Sequence, residues 1–168
     1  GPVGHVCFNV DGTKLVSSLT SSSFSKGPHP AIVWDVASGK KLGTLQDEKT
    51  ITSTAFSPDR FRILTASSPR RSRASGGRGD SLPGLAPTLW DTAQFQRLLR
   101  FEDAYLLEAH DAVFDPSGRR AVFPSMNNTA VIYDCVGGNK LLTLSGHENR
   151  VVFAAMSPQG DRVVTASD

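Results

Sequence analysis

Phe56-Ser57-Pro58-Asp59-Arg60, followed one residue later by Arg62-Ile63-Leu64-Thr65, is a turn running into a strand, and the phrase occurs four times in this chain of 168 residues. The other copies are Phe8-Asn9-Val10-Asp11-Gly12 before Leu15-Val16-Ser17, Phe114-Asp115-Pro116-Ser117-Gly118 before Ala121-Val122-Phe123, and Met156-Ser157-Pro158-Gln159-Gly160 before Val163-Val164-Thr165. Proline presets φ for the first turn position, and Gly or Asp tolerates the positive φ that follows. Six residues after each Phe or Met stands a basic residue, Lys14, Arg62, Arg120 or Arg162, which opens the strand. A fixed spacing repeated four times marks a repeat architecture.

A second block recurs three times: Ala31-Ile32-Val33-Trp34-Asp35, Pro87-Thr88-Leu89-Trp90-Asp91 and Ala130-Val131-Ile132-Tyr133-Asp134. Eleven residues beyond each aromatic lies an apolar strand end, Leu45, Phe101 or Leu144. Turn formers such as Ser38-Gly39 and Gly137-Gly138 lie between. Each unit therefore has four short strands, a, b, c and d, with hairpin turns from a to b and from c to d. Several strands are apolar or small on both faces, as in Thr54-Ala55-Phe56 and Ala154-Ala155-Met156. An antiparallel sheet with one wet face would alternate apolar and polar instead. Sheets covered on both faces by like units are the blades of a propeller.

Composition bounds the function. A formal net charge of +2 is too mild to imply nucleic acid. Cys7 and Cys135 stand apart with no C-x-x-C partner, so two buried thiols in a reducing compartment are expected. No apolar run approaches the ~18 residues a membrane span needs, and the N-terminus lacks a charged-then-apolar leader pattern. The four histidines and two cysteines show no metal spacing. There is no G-x-S-x-G elbow, and Gly76-Gly77-Arg78-Gly79 lacks the Gly-Lys-Ser/Thr ending of a phosphate loop. No catalytic residue, cofactor or metal is assigned, and the chain is read as cytoplasmic, with the cilium, cytoskeleton or nucleus as alternatives.

The Trp-Asp pairs at 34–35 and 90–91, with Gly146-His147 ahead of the last unit, resemble the WD-repeat family. That resemblance implies an all-β WD-repeat β-propeller, here about three and a half four-stranded blades of a seven-bladed ring. The blades span about 3–45, about 50–101 with a b–c insertion at 68–86, about 109–144, and an incomplete fourth at about 147–168. It also implies a buried network of a His before strand a, a Ser or Thr on b, an Asp after b, and the Trp on c. Ser17 with Trp34, Thr65 with Trp90, and His147 with Thr165 match parts of it. Asp168 stands at or just before the network's Asp. His5 sits three residues before Phe8 and His110 four before Phe114, whereas His147 sits nine before Met156, so neither matches. The second unit has Gln46-Asp47 in place of Gly-His, and the third has Tyr133 for Trp and Phe123 for the hydroxyl.

From the basic residue opening b to the aromatic on c, the spacings are 20, 28 and 13, so the length variation falls in the b–c loops. In an up-and-down meander these loops share a rim with the d–a loops, and insertions clustered on one face of a repeat protein often mark its binding face. Phe24 in the first insertion and Arg70, Arg71, Arg73 and Arg78 in the second are the candidate partner-binding residues, the arginines suiting an acidic partner. The function expected is a non-enzymatic protein–protein interaction scaffold on the rim of d–a and b–c loops, within a larger chain and a multiprotein complex, with no nucleic acid and no membrane. Alternatives are a structural component of a cytoskeletal or ciliary/microtubule assembly, a ubiquitin-ligase substrate receptor, and a propeller enzyme. Such receptors often carry Trp-Asp-x-Arg, where this chain has Ala37 and Ala93. Either a longer polypeptide completes the ring, which the truncated fourth unit favours, or the ring closes by association.

Overall fold

The four turn phrases fold identically. In each, the residue after the aromatic or Met receives the backbone N–H three positions on and donates its own to the carbonyl of the basic residue. Gly12 and Lys14 serve Asn9 in this way, Arg60 and Arg62 serve Ser57, Gly118 and Arg120 serve Asp115, and Gly160 and Arg162 serve Ser157. The closing position has φ of 69°, 71°, 68° and 72° at Gly12, Arg60, Gly118 and Gly160. Three of the four are glycine because a Cβ there costs roughly 1–2 kcal/mol. Arg60 bears that strain, and its guanidinium lies 3.2 Å from Asp11 in the preceding unit's turn.

The computed structural model describes residues 3–19, 28–48, 50–68, 86–101, 112–125 and 127–168. Phe24, Arg70, Arg71, Arg73, Arg78 and His110 lie outside the described residues. The first sheet holds β1 (Val3–Phe8), β2 (Lys14–Leu19), β3 (Ala31–Asp35) and β4 (Lys41–Leu45). The second holds β5 (Thr50–Phe56), β6 (Arg62–Ser68), β7 (Thr88–Asp91) and β8 (Arg97–Arg100). The third holds β9 (Val113–Phe114), β10 (Arg120–Pro124), β11 (Thr129–Asp134) and β12 (Lys140–Ser145), and the fourth pairs β13 (Val151–Met156) with β14 (Val163–Ser167). Strands pair antiparallel in chain order, so every sheet is a simple meander. The architecture is all-β and that of a partial β-propeller.

Side chains alternate across each strand, and the two faces of a sheet enter two different cores. Ile63 and Trp90 of the second sheet pack with Val16, Val33 and Leu45 of the first. Their neighbours Leu64 and Leu89 face the other way, against Phe114, Phe123 and Tyr133 of the third sheet. Val122 and Ile132 of that third sheet pack with Val151 and Ala154 of the fourth. Each apolar layer thus lies between successive blades. One expectation is corrected: Cys135 is buried, but Cys7 is only half-buried. Cys7 lies on the first sheet's outermost strand, where its sulfur reaches the Phe8 carbonyl at 3.3 Å.

Candidate functional site

Trp34 sits opposite Leu15 in the β2–β3 ladder, which brings its indole diagonally over Ser17. Its Nε1–H donates to Ser17 Oγ at 2.9 Å. Trp90, opposite Ile63, donates to Thr65 Oγ1 at 2.9 Å in the same diagonal arrangement. His147 Nε2 lies 2.8 Å from Thr165 Oγ1. Thr65 and Trp90 are buried, whereas Ser17 and Trp34 are half-buried at the first sheet's open face. A buried indole N–H without an acceptor costs about 1–3 kcal/mol, so these pairs hold strand c to strand b.

The third sheet has no such pair. Phe123 and Tyr133 occupy the two positions, and Phe101 completes a cluster with ring centroids 5.2–5.5 Å apart. One buried polar contact had no sequence expectation. Thr88 Oγ1 donates to Asp47 Oδ2 at 3.0 Å, and the Glu48 N–H donates to Asp47 Oδ1 at 2.6 Å. Asp47 stands nine residues before Phe56, as His147 stands nine before Met156, and that offset was the signal available. The Asp168 carboxylate pairs with Arg150. His5 lies within β1, with Nδ1 3.1 Å from Thr54 Oγ1 of the second sheet.

The aspartates that end the c strands shape the turns after them. Asp35 Oδ1 accepts from the Ser38 hydroxyl and N–H, which holds its carboxyl below the usual range. Burial would raise Asp91, yet the Gln94, Gln96 and Ala93 N–H groups outweigh it and the net shift is downward. Asp59 behaves alike: burial opposes ionisation, but hydrogen bonds from Ser57, Arg62 and the Phe61 N–H prevail. These carboxylates are engaged in holding turns. Burial pushes the Cys135 thiol up to about 12, which keeps it neutral and a poor nucleophile.

On one rim, the stems of the long b–c loops are tied to the chain entering or leaving neighbouring strands. The Ile51 N–H donates to the His29 carbonyl at 3.0 Å, the His29 N–H to Thr50 Oγ1 at 3.3 Å, and the Phe101 N–H to the Pro87 carbonyl at 2.9 Å. The short b–c loop of the third sheet is held the same way, through Val151 N–H to the Ser125 carbonyl and Asn128 Nδ2 to the Glu148 carbonyl. A groove of about 690 Å³ runs between the first two sheets, lined by Thr44, Gln46, Asp47, Glu48, Trp90 and Phe95 among others. Among the described residues no group of three or more His, Cys, Asp or Glu is placed to hold a metal, and no helix is long and apolar enough to cross a membrane.

Residues 138–168 match the WD domain, G-beta repeat, of the WD40 family. This segment is similar to a WD40 repeat. The WD40 match runs from the c–d turn of the third sheet through β12, β13 and β14, so it straddles two blades. It contains Gly146-His147 and the His147–Thr165 contact. No curated protein matches the chain. WD40 repeats generally mediate protein–protein interaction, and WD40 proteins are generally non-enzymatic.

Proposed function

We propose that this WD40-repeat protein is a non-enzymatic scaffold that captures protein or peptide partners on the rim formed by its b–c and d–a loops. The observation that carries the reading is the location of length. The links from β2 to β3 and from β6 to β7 are far longer than that from β10 to β11, and the meander directs all three to one rim. Rigid stems support this, because a loop whose ends are hydrogen-bonded to a packed sheet presents its middle at a defined place. In this reading Arg70, Arg71, Arg73 and Arg78 pair with carboxylates of an acidic partner, and Phe24 contributes an apolar anchor. Trp34, Trp90 and His147 keep structural roles.

Deleting residues 69–80 is expected to leave the melting transition in place while reducing partner capture from native extract about tenfold or more. Replacing the four arginines with glutamate should reproduce that loss. Undiminished capture by both variants would remove the rim from the function.

A further inference from the structure

The last strand of each four-stranded sheet repeats one irregularity. Trp34 pairs with Lys41 and Val33 with Gly43, so Leu42 is left over between them. Leu98 is left over in the same way between Arg97 and Leu99, and Leu141 between Lys140 and Leu142. A bulge of this kind bends the strand and re-aims a side chain. The three leucines are 42, 49 and 52% exposed. Leu98 belongs to the second sheet, which packs against a sheet on each side, and it is as exposed as Leu42 in the first. Contacts between sheets run mainly through β1, β2 and β5 and through β9, β10, β11 and β13. The last strands therefore form an outer wall, and the leucines are exposed because of that place in the sheet.

Charge on this wall has one sign. A basic residue precedes each leucine, namely Lys41, Arg97 and Lys140, and all three are exposed. None of them pairs with a carboxylate among the described residues. No acidic residue stands in β4, β8 or β12. The carboxylates that open the c–d turns, Asp35, Asp91 and Asp134, accept the N–H groups of those turns. Glu48 lies 3.6 Å from Arg100, at the opposite end of β8 from Arg97. Each of these strands also ends its described sheet, and an edge strand presents N–H and C=O groups ready to pair. Like charges opposite one another disfavour pairing between two such edges, and opposite charges favour it.

We infer that these outer edges take an extended acidic segment of a partner protein, which adds to a blade as a fifth strand. The segment's backbone bonds the edge of β4, β8 or β12, and its carboxylates pair with Lys41, Arg97 or Lys140. An apolar side chain of the segment rests on the adjoining leucine. This wall is distinct from the loop rim, because it runs along strand d and uses backbone as well as charge.

The probe is a synthetic, fluorescein-labelled peptide of alternating glutamate and valine, titrated into the chain at low salt and followed by anisotropy. It should bind saturably and at least about tenfold more tightly than the peptide of alternating lysine and valine. The glutamate–valine peptide N-methylated along its length keeps the charge but cannot donate to an edge, and it should bind about tenfold more weakly or worse. With the unmodified peptide bound, amide hydrogen exchange should slow within 41–45, 97–100 and 140–145. Lys41→Glu, Arg97→Glu and Lys140→Glu together, all at exposed positions, should reduce affinity about tenfold while the far-UV β signal stays unchanged. Replacing Arg70, Arg71, Arg73 and Arg78 with glutamate should leave the slowed exchange in place, so the wall and the loop rim are read separately. No binding, equal binding of the acidic and basic peptides, or undiminished binding of the N-methylated peptide would overturn the inference. Exchange slowed only outside the three strands would overturn it as well.

Discussion

The layer between the first and second sheets and the layer between the second and third share one backbone frame and use different chemistry at matching positions. In the former, Trp90 and Thr65 make a buried hydrogen bond, and Leu45 closes the layer from the neighbouring sheet. In the latter, Tyr133 and Phe123 occupy those positions, and Phe101 takes the place of Leu45. The blade needs its b and c strands locked together on that face, and either a directional polar contact or an aromatic cluster does it. Side-chain signatures can therefore drift while the fold persists. A WD40 match confined to 138–168 is consistent with that, since this segment carries the Gly-His pair and its hydroxyl partner.

Breaking the aromatic layer should have the largest effect. Phe123→Ala removes a fully buried ring from the three-ring cluster and is expected to cost about 3–5 kcal/mol. Urea unfolding of the chain should show a large fall in midpoint, and a loss below about 1 kcal/mol would mean that the cluster does not hold the layer. Thr65→Val comes next. It leaves the buried Trp90 Nε1–H without its acceptor, and the expected cost is about 1–3 kcal/mol. The same urea experiment checks it, with a red-shifted Trp90 emission as the expected companion if the ring moves. Ser17→Ala sharpens the contrast with the smallest effect, under about 1 kcal/mol, because water can replace the acceptor for half-buried Trp34. If Ser17→Ala equals Thr65→Val, burial is not what gives these pairs their strength.

Much of the frame was readable from order along the chain. The five-residue turns, the basic residue six places after the aromatic, and the strand runs are local features, and local chemistry such as Pro58 or Gly118 declares them. The positions of Ser17, Trp34, Thr65 and Trp90 within their units were also readable. The diagonal that brings each hydroxyl to its indole belongs to the ladder register. The partner of Asp47 was not readable, since Thr88 lies 41 residues away beyond the long insertion. Nor was the accommodation at the second c–d turn. There Phe95 takes a φ of 59° where Gly39 and Gly138 stand in the other units, and its ring occupies the space a Cβ on Gly43 would need. A bulky residue in the left-handed region reads locally as an error, and only the adjacent blade explains it. The exposure of Cys7 failed for a related reason: its side chain packs toward the second sheet beside Val16, but it stands on the edge strand of its sheet, where covering is incomplete.

Sequence alone determined the unit: its turns, its four strands and its repeat, because hydrogen bonding within a hairpin depends on residues a few places apart. Tertiary structure decided the contacts between units, among them Arg62 on the Cys135 carbonyl 73 residues away and Phe95 over Gly43. Those depend on which side chains stacking brings together, and stacking joins residues whose separation along the chain is set by loops of any length.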